Sequence, residues 1–218
     1  MFEALILDWD GTLADTREVI VISFQKVLSE TDCQVPNEYI EHRIGIGAAE
    51  TFREILRSTN APIDESLIMR LVERKSQFES ELTWKVKLFE GARELLEALH
   101  SKLKIGLASM NNRSIIVPML KENDLEKYFQ VVLTAESIYH SKPDPEIFLK
   151  TASKLKTNPL KCVIVEDSLF GVKAAKSAKM SCIAITTGIY SKQELEREKP
   201  DLIVKTLRDP QIFDFILH

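Results

Sequence analysis

Two aspartates separated by a single residue are the side chains in this sequence best suited to chemistry. Asp8 and Asp10 follow the apolar run Ala4–Leu7 and precede Gly11. An uninterrupted apolar run of this length is typical of a parallel strand buried on both faces. In an open α/β sheet, ligands bind beyond the carboxyl ends of such strands. Two neighbouring carboxylates repel each other unless a shared proton or a cation intervenes, and a hard cation such as Mg²⁺ prefers oxygen ligands.

Three further polar groups lie at the ends of predicted strands or just beyond them. Ser109 ends one strand, Glu166-Asp167 end another, and Lys142 lies in a loop. Each has an ordinary explanation when taken alone, because a serine or an acidic pair can cap the next helix and a loop lysine is usually solvated. Together with the aspartate pair, they form one candidate site at the edge of the predicted sheet.

Length and composition describe an ordinary globular chain. It has 218 residues, of which 44% are hydrophobic and 28% are charged, with a net charge of −4. Lysine and arginine are interleaved with glutamate, so no nucleic-acid surface is expected. No apolar run approaches the roughly 20 residues that span a bilayer, so no membrane partner is expected. The three cysteines have no C-x-x-C spacing, which predicts reduced thiols in a cytoplasmic protein.

The chain changes character twice along its length. From about Asp15 to Lys85, apolar residues recur at helical spacing and predict about four helices. Pro36 and the segment Asn60-Ala61-Pro62 punctuate this region. From Phe89 onward, predicted strands and helices alternate. This alternation predicts a parallel sheet with right-handed crossovers and helices on both faces.

The predicted strands are 4–7, 103–108, 130–133, 162–165, 181–185 and 202–204, and the predicted helices after the helical segment are 92–100, 112–121, 144–154, 170–179 and 210–217. We therefore expect an α/β fold with a Rossmann-like parallel sheet core from residues 1–14 and 86–218. An all-helical cap domain, 15–85, is inserted into it. Both connections lie near the aspartates, which favours a lid over a purely structural subdomain.

Four motifs occur in a fixed order along nearly the whole chain. They are Asp8-Trp9-Asp10-Gly11-Thr12, Ser109, Lys142-Pro143 and Glu166-Asp167-Ser168. In this order they resemble the motifs of the haloacid dehalogenase superfamily, in the branch that carries a small helical cap after the first strand. The second aspartate, Asp10, argues against the dehalogenases themselves, which lack this acid and need no metal.

The resemblance implies a role for each motif residue. Asp8 would attack phosphorus, Asp10 would act as general acid and base, and Lys142 would screen the negative charge. Mg²⁺ would be bound by the carboxylates of Asp8 and Asp167 and by the main-chain carbonyl of Asp10, with Glu166 acting through water or from outside the ligand set. The implied substrate- and phosphate-binding residues are Gly11, Thr12, Ser109, Met110 and Asn111, with Arg43 added from the cap.

The resemblance predicts a Mg²⁺-dependent phosphatase that acts on a small phosphate ester, such as phosphoglycolate or a sugar phosphate, through an aspartyl-phosphate. A β-phosphoglucomutase-like enzyme is the main alternative. The cap arginine expected of such a mutase is absent, because Ala48-Ala49 stands there, although Arg43 or Arg53 can substitute for it. A non-catalytic phosphate-binding protein and a pyrophosphatase also stay open. A phosphonate hydrolase is disfavoured, because Lys26 is the only lysine in the first half of the cap.

Candidate substrate contacts outside the motifs are Gly45, Gly47, Asn112 and Arg113. They lie in the cap loop and in the segment after Ser109, and they are candidates to set substrate specificity. Nothing in the sequence forces an interface between subunits, so a monomer or a weak homodimer is expected.

Overall fold

A computed structural model describes residues 1–59 and 63–218 of the chain. Its strands are β1 (Ala4–Leu7), β2 (Ala14–Asp15), β3 (Lys87–Leu88), β4 (Lys104–Ala108), β5 (Val131–Leu133), β6 (Cys162–Glu166), β7 (Ser181–Ile185) and β8 (Leu202–Val204). Six of them form a parallel sheet in the order β5-β4-β1-β6-β7-β8. Each predicted strand occurs within one residue of its expected bounds.

The helices of the described residues are α1 (Arg17–Leu28), α2 (Asn37–Glu41), α3 (Ala48–Ser58), α4 (Glu65–Ser80), α5 (Ala92–Leu99), α6 (Arg113–Glu122), α7 (Glu146–Lys154), α8 (Leu169–Ser177), α9 (Lys192–Arg197) and α10 (Pro210–Leu217). Helix α9 was not predicted, although the side chains of Ser191 and Glu194 form a capping box at its start. Pro118 lies inside α6, so the helix does not start late. None of these helices is both long and apolar enough to cross a bilayer.

Strand β1 lies at the centre of the sheet and contributes to both layers of the core. Leu5 and Leu7 belong to one apolar cluster, whereas Ala4 and Ile6 belong to another. This division follows from the alternation of side chains along a strand. Trp9 lies in the same cluster as Leu5 and Leu7, so its ring points away from the carboxylates, as expected from the alternation.

The four helices of the cap, α1 to α4, pack around a third apolar cluster. Phe24 and Phe52 contact each other at its centre, with their ring centroids 4.8 Å apart. Strands β2 and β3 flank the cap and pair antiparallel, so the two connections run side by side. The sequence did not indicate this short pair. The predicted break at Asn60-Ala61-Pro62 lies outside the described residues.

Candidate active site

The carboxyl ends of β1 and β6 bring three acidic residues together around one lysine. The Lys142 Nζ lies 2.7 Å from Asp8 Oδ1 and 2.7 Å from Glu166 Oε1. Asp8, Glu166 and Asp167 can each place one carboxylate oxygen within 4.8 Å of the other two. All four side chains are buried. We call this group the carboxylate–lysine cluster.

Lys142 reaches the cluster from the loop that precedes α7, and the structure holds its ammonium on several sides. The ammonium also donates to the main-chain carbonyl of Ala108, at 3.3 Å. It lies 5.0 Å from the centre of the Phe148 ring, which α7 provides. A lysine in this position cannot be a solvated loop residue, because only 1% of it is exposed.

The electrostatics of the carboxylate–lysine cluster are unbalanced. Burial raises the pKa of Asp8 well above its usual range, although the positive charge of Lys142 opposes this. Burial also raises the pKa of Asp167, and the charges of Glu166 and Asp8 add to the increase. For Lys142, burial alone would lower the pKa, but the two carboxylates outweigh it and the pKa is raised. Three carboxylates against one ammonium leave an excess of negative charge that a hard cation would neutralise.

The space around Asp167 is shaped by glycines. Gly11 has φ +82°, and a Cβ built on it would lie 2.2 Å from Asp167 Oδ2. A Cβ on Gly188 would lie 1.9 Å from the same oxygen. The Thr12 hydroxyl donates to Asp167 Oδ1 at 3.3 Å, which places Thr12 beside the carboxylate–lysine cluster. Only glycine permits the main chain to approach this carboxylate so closely.

Both oxygens of Glu166 are already hydrogen bonded within the chain. Oε1 accepts from Lys142, and Oε2 accepts from the N–H groups of Asp167 and Ser168 and from the Ser168 hydroxyl, each at 2.9 Å. Ser168 is also the N-cap of α8. These contacts fix Glu166 as a support for Lys142 and for the start of α8.

Asp10 faces away from Lys142, towards the cap. Its Oδ2 accepts from the Ser109 hydroxyl at 3.2 Å, and its Oδ1 lies 3.4 Å from the Asn111 amide nitrogen. Burial, and then the negative charge of Glu79, raise the pKa of Asp10. A carboxyl with a raised pKa retains its proton more readily, as a general acid must.

Among the expected phosphate-binding residues, the main-chain N–H groups of Gly11 and Asn111 have partners within the chain. The Gly11 N–H donates to the carbonyl of Ala14 at 2.9 Å, and the Asn111 N–H donates to the Ser109 hydroxyl at 3.0 Å. Met110 lies between the cap and the core, because a Cβ built on Gly47 would lie 2.9 Å from its terminal methyl group. The structure therefore brings these residues to the site, with these two amides engaged in local turns.

The cap contributes two buried charged residues that the sequence analysis missed. Lys75 Nζ and Glu79 Oε2 of α4 form an ion pair at 2.5 Å, and their side chains are 5% and 2% exposed. The other oxygen of Glu79 accepts from the Asn111 amide at 2.7 Å, which ties the cap to the core. Lys75 and Glu79 lie four and eight residues after Leu71, on the same buried side of α4. The sequence signal that could have revealed their burial is that these charged residues continue the apolar stripe of the helix.

Arg43, the predicted cap contact, is also paired. Its Nε lies 2.6 Å from Glu54 Oε2, and its guanidinium stacks 3.4 Å above the centre of the Tyr39 ring. We call this pair and the Lys75–Glu79 pair the cap pairs. The residues that line a cavity of about 30 Å³ between cap and core include Asp10, Arg43, Gly45, Gly47, Lys75, Met110 and Asn111.

The Asn112 amide donates to the Ser76 hydroxyl of α4 at 2.6 Å, which gives a second contact from core to cap. Arg113 is the first residue of α6, and its main-chain N–H donates to the Glu136 carboxylate within the core. A third contact joins the Tyr190 hydroxyl to the His42 carbonyl at 2.9 Å. The contacts of Asn111, Asn112 and Tyr190 join the cap to the core.

The parallel sheet, the helical cap and the acidic site together define a class of enzymes, and sequence comparison identifies it. A profile of the haloacid dehalogenase-like hydrolase family matches residues 5–185, a span that contains all four motifs. The chain belongs to this family. The predicted family and fold class are thereby confirmed.

Individual relatives cover most or all of the chain. A phosphorylated carbohydrates phosphatase from Thermotoga maritima is 35% identical over 179 residues, which are 81% of this chain and 81% of that protein. The pyrophosphatase PpaX from Listeria innocua is 29% identical over 208 residues, 94% of this chain and 93% of its own. A β-phosphoglucomutase structure from Clostridium difficile has a TM-score of 0.87 and 26% identity, and the match covers 100% of both chains.

Proposed function

We propose that this chain is a Mg²⁺-dependent phosphatase that hydrolyses a small phosphorylated metabolite through an aspartyl-phosphate. Its core would comprise residues 1–14 and 86–218, and residues 15–85 would form the cap. The observation that carries the proposal is the carboxylate–lysine cluster beside a second, separately placed acid, Asp10. A nucleophile and a general acid on opposite sides of one reaction centre are what phosphoester cleavage needs.

The donor set fits a hard divalent cation. The buried carboxylates of Asp8 and Asp167, with the main-chain carbonyl of Asp10, would hold it, and Glu166 would support them from behind. A bound Mg²⁺ would neutralise charge between the attacking carboxylate and the phosphate dianion. Lys142 contributes a fixed positive charge on the other side of Asp8, which orients the carboxylate oxygen for attack.

The protein residues account for the proton transfers. A carboxylate oxygen of Asp8 forms a bond to phosphorus while the bond from phosphorus to the leaving oxygen breaks. Asp10 gives its proton to that oxygen, and the alcohol departs. Asp10 then accepts a proton from the water that attacks the aspartyl-phosphate, which releases inorganic phosphate and restores Asp8. The Ser109 hydroxyl, which donates to Asp10, orients this acid between the two steps.

The relatives support hydrolysis of phosphate esters or anhydrides. The Thermotoga maritima protein is named a phosphatase of phosphorylated carbohydrates, and the Listeria innocua protein is named a pyrophosphatase. We extend the first of these activities to this chain. The three cysteines are free thiols, which fits the cytoplasmic location that we also propose.

A phosphomutase is the second candidate, because the β-phosphoglucomutase structure matches the full chain. Two arginines were candidates to replace the absent cap arginine, and both are engaged. Arg43 pairs with Glu54, while Arg53 pairs with Glu50 and Glu65. A mutase needs a cation available for the second phosphate of its bisphosphate intermediate, so these pairs favour hydrolysis.

The test is phosphate release with Mg²⁺ across phosphoglycolate, hexose and pentose phosphates, pyrophosphate and nucleotides. We expect turnover of at least one sugar phosphate, with no release by Asp8→Asn and normal release by the control Asp32→Asn, which changes an exposed cap aspartate. Absence of phosphate release from the whole panel would contradict the proposal. Interconversion of β-glucose 1-phosphate and glucose 6-phosphate without net release would instead favour the mutase.

A further inference from the structure

The cap pairs set the charge on the side of the site that receives the leaving group. Lys75 and Glu79 neutralise each other, and Arg43 and Glu54 do the same. Lys75 and Arg43 are the cations among the residues that line the small cavity. Neither is therefore an uncompensated positive charge towards a substrate.

The position of Glu79 places it next to the leaving group. Its Oε1 accepts from the Asn111 amide nitrogen, which also lies 3.4 Å from Asp10 Oδ1. In the proposed reaction, Asp10 contacts the leaving oxygen. The carbon skeleton attached to that oxygen must then lie on the cap side of Asp10, next to Lys75 and Asn111, the two partners of Glu79.

We propose that Glu79 is a specificity-determining residue, which selects a neutral, hydroxyl-bearing leaving group and rejects substrates that carry a second anionic group. The preferred substrates are then monophosphates of sugars or polyols. Bisphosphates and carboxylated esters such as phosphoglycolate are disfavoured. This inference rests on the proposed phosphatase function and narrows its substrate class.

Charge repulsion is the first physical reason. Glu79 does not line this cavity itself, but it contacts Lys75 and Asn111, which do. A second phosphate or a carboxylate here would meet a lysine that Glu79 already neutralises, and it could pair with Lys75 only by displacing Glu79. The cavity is about 30 Å³, enough for a water molecule or two. With so little water to screen it, a like-charge contact costs more than it would at the surface.

The polar groups around the cavity suit hydroxyls instead. Lys75 keeps ammonium protons that Glu79 does not use, and the Asp10 carboxyl offers acceptor oxygens. A hydroxyl can donate and accept in turn, so it fits this mixture without leaving a buried charge unpaired.

The first arm of the test needs no substitution. With Mg²⁺, kcat/KM of the wild-type protein is measured for glycerol, pentose and hexose monophosphates, and for phosphoglycolate and fructose 1,6-bisphosphate. We expect the neutral monophosphates to be preferred by about tenfold or more. Preference for either anionic compound would overturn the inference while leaving the phosphatase proposal intact. Absence of turnover throughout would overturn both.

The second arm uses Glu79→Gln, which keeps the shape of the side chain and an acceptor for Asn111 but leaves the positive charge of Lys75 uncompensated. We expect the ratio of kcat/KM for anionic over neutral substrates to rise about tenfold. The control Glu73→Gln removes an exposed carboxylate from the same helix and should leave the ratio unchanged. The double variant Lys75→Met/Glu79→Gln removes both charges and should abolish the rise. A ratio that Glu79→Gln does not change would overturn the inference.

Discussion

The two charged regions of the site are built on opposite principles. The carboxylate–lysine cluster of the core has three carboxylates around one ammonium, whereas each of the cap pairs joins one cation to one anion. The core region is therefore incomplete without an added cation, and the cap region is complete as it stands. Under the proposed function, the core would receive the phosphoryl group, and the cap would receive the group to which the phosphoryl group is attached.

The elements that carry the two charged regions also differ, because one region lies on strands of the central sheet and the other on a helix of the cap. Asp8 and Glu166 lie at the ends of neighbouring strands whose register is fixed by the central sheet. Lys75 and Glu79 lie on α4, a helix of the cap, which we expect to move when substrate enters. A rigid frame tolerates stored repulsion, because the fold holds the charges in place. A moving helix requires that its charges be paired in both positions.

Removal of the lysine at the centre of the core cluster should have the largest effect. In Lys142→Met, the carboxylates of Asp8 and Glu166 stay buried without their ion partner, so we expect unfolding free energy to fall by about 3–5 kcal/mol. Phosphate release should also be lost, because Asp8 is no longer oriented. Urea unfolding and the phosphate assay measure the two effects.

The matched control for this variant is Lys150→Met, which breaks a more exposed ion pair with Glu146. Such pairs contribute about 1 kcal/mol or less. Equal losses of stability in the two variants would mean that the burial of Lys142 has no energetic consequence, and the contrast between the two regions would lose its basis.

The second prediction concerns pH in the absence of metal. The raised pKa values of Asp8 and Asp167 mean that the folded state binds protons more tightly than the unfolded chain. Stability should then fall as pH rises from the ordinary aspartate pKa of about 3.9 through the raised folded values. We expect the melting temperature in EDTA to be higher at about pH 5.5 than at about pH 7.5.

Addition of Mg²⁺ should reverse this trend, because a bound cation stabilises the ionised carboxylates of the folded state. The increase in melting temperature should therefore be larger at the higher pH. Asp167→Asn should be less sensitive to both pH and Mg²⁺. A melting temperature that rises with pH in EDTA, or an equal response to Mg²⁺ in wild type and Asp167→Asn, would contradict this account of the core cluster.

The sequence predicted the acidic residues and the serine of the core, but it did not predict the buried charged pair of the cap, for a physical reason. The carboxyl ends of parallel strands meet at one edge, so Asp8, Ser109 and Asp167 could be grouped from the order of strands alone. The burial of Lys75 and Glu79 depends instead on how α4 packs over the core, which involves residues distant in sequence. Their spacing from Leu71 was visible, but a charged pair four residues apart usually lies on a solvated helix face.

The smallest expected effect concerns the hydrogen bond between the cap and the core. The Asn112 amide donates to the Ser76 hydroxyl across the closed interface. Ser76→Ala removes the acceptor, but the half-buried amide of Asn112 can turn to water, so the closed form should lose about 1 kcal/mol at most. That loss corresponds to about a fivefold fall in kcat/KM.

The control is Ser80→Ala, on the same helix, because the exposed Ser80 hydroxyl donates to the Gln77 carbonyl within the cap. Measured over the same substrates, Ser76→Ala should lower every kcat/KM by a similar factor, since closure is common to all of them. Glu79→Gln should instead change the ratios between substrates. If Ser76→Ala also changed the ratios, then closure and charge selection would not be separable, and the cap would choose substrates by shape as much as by charge.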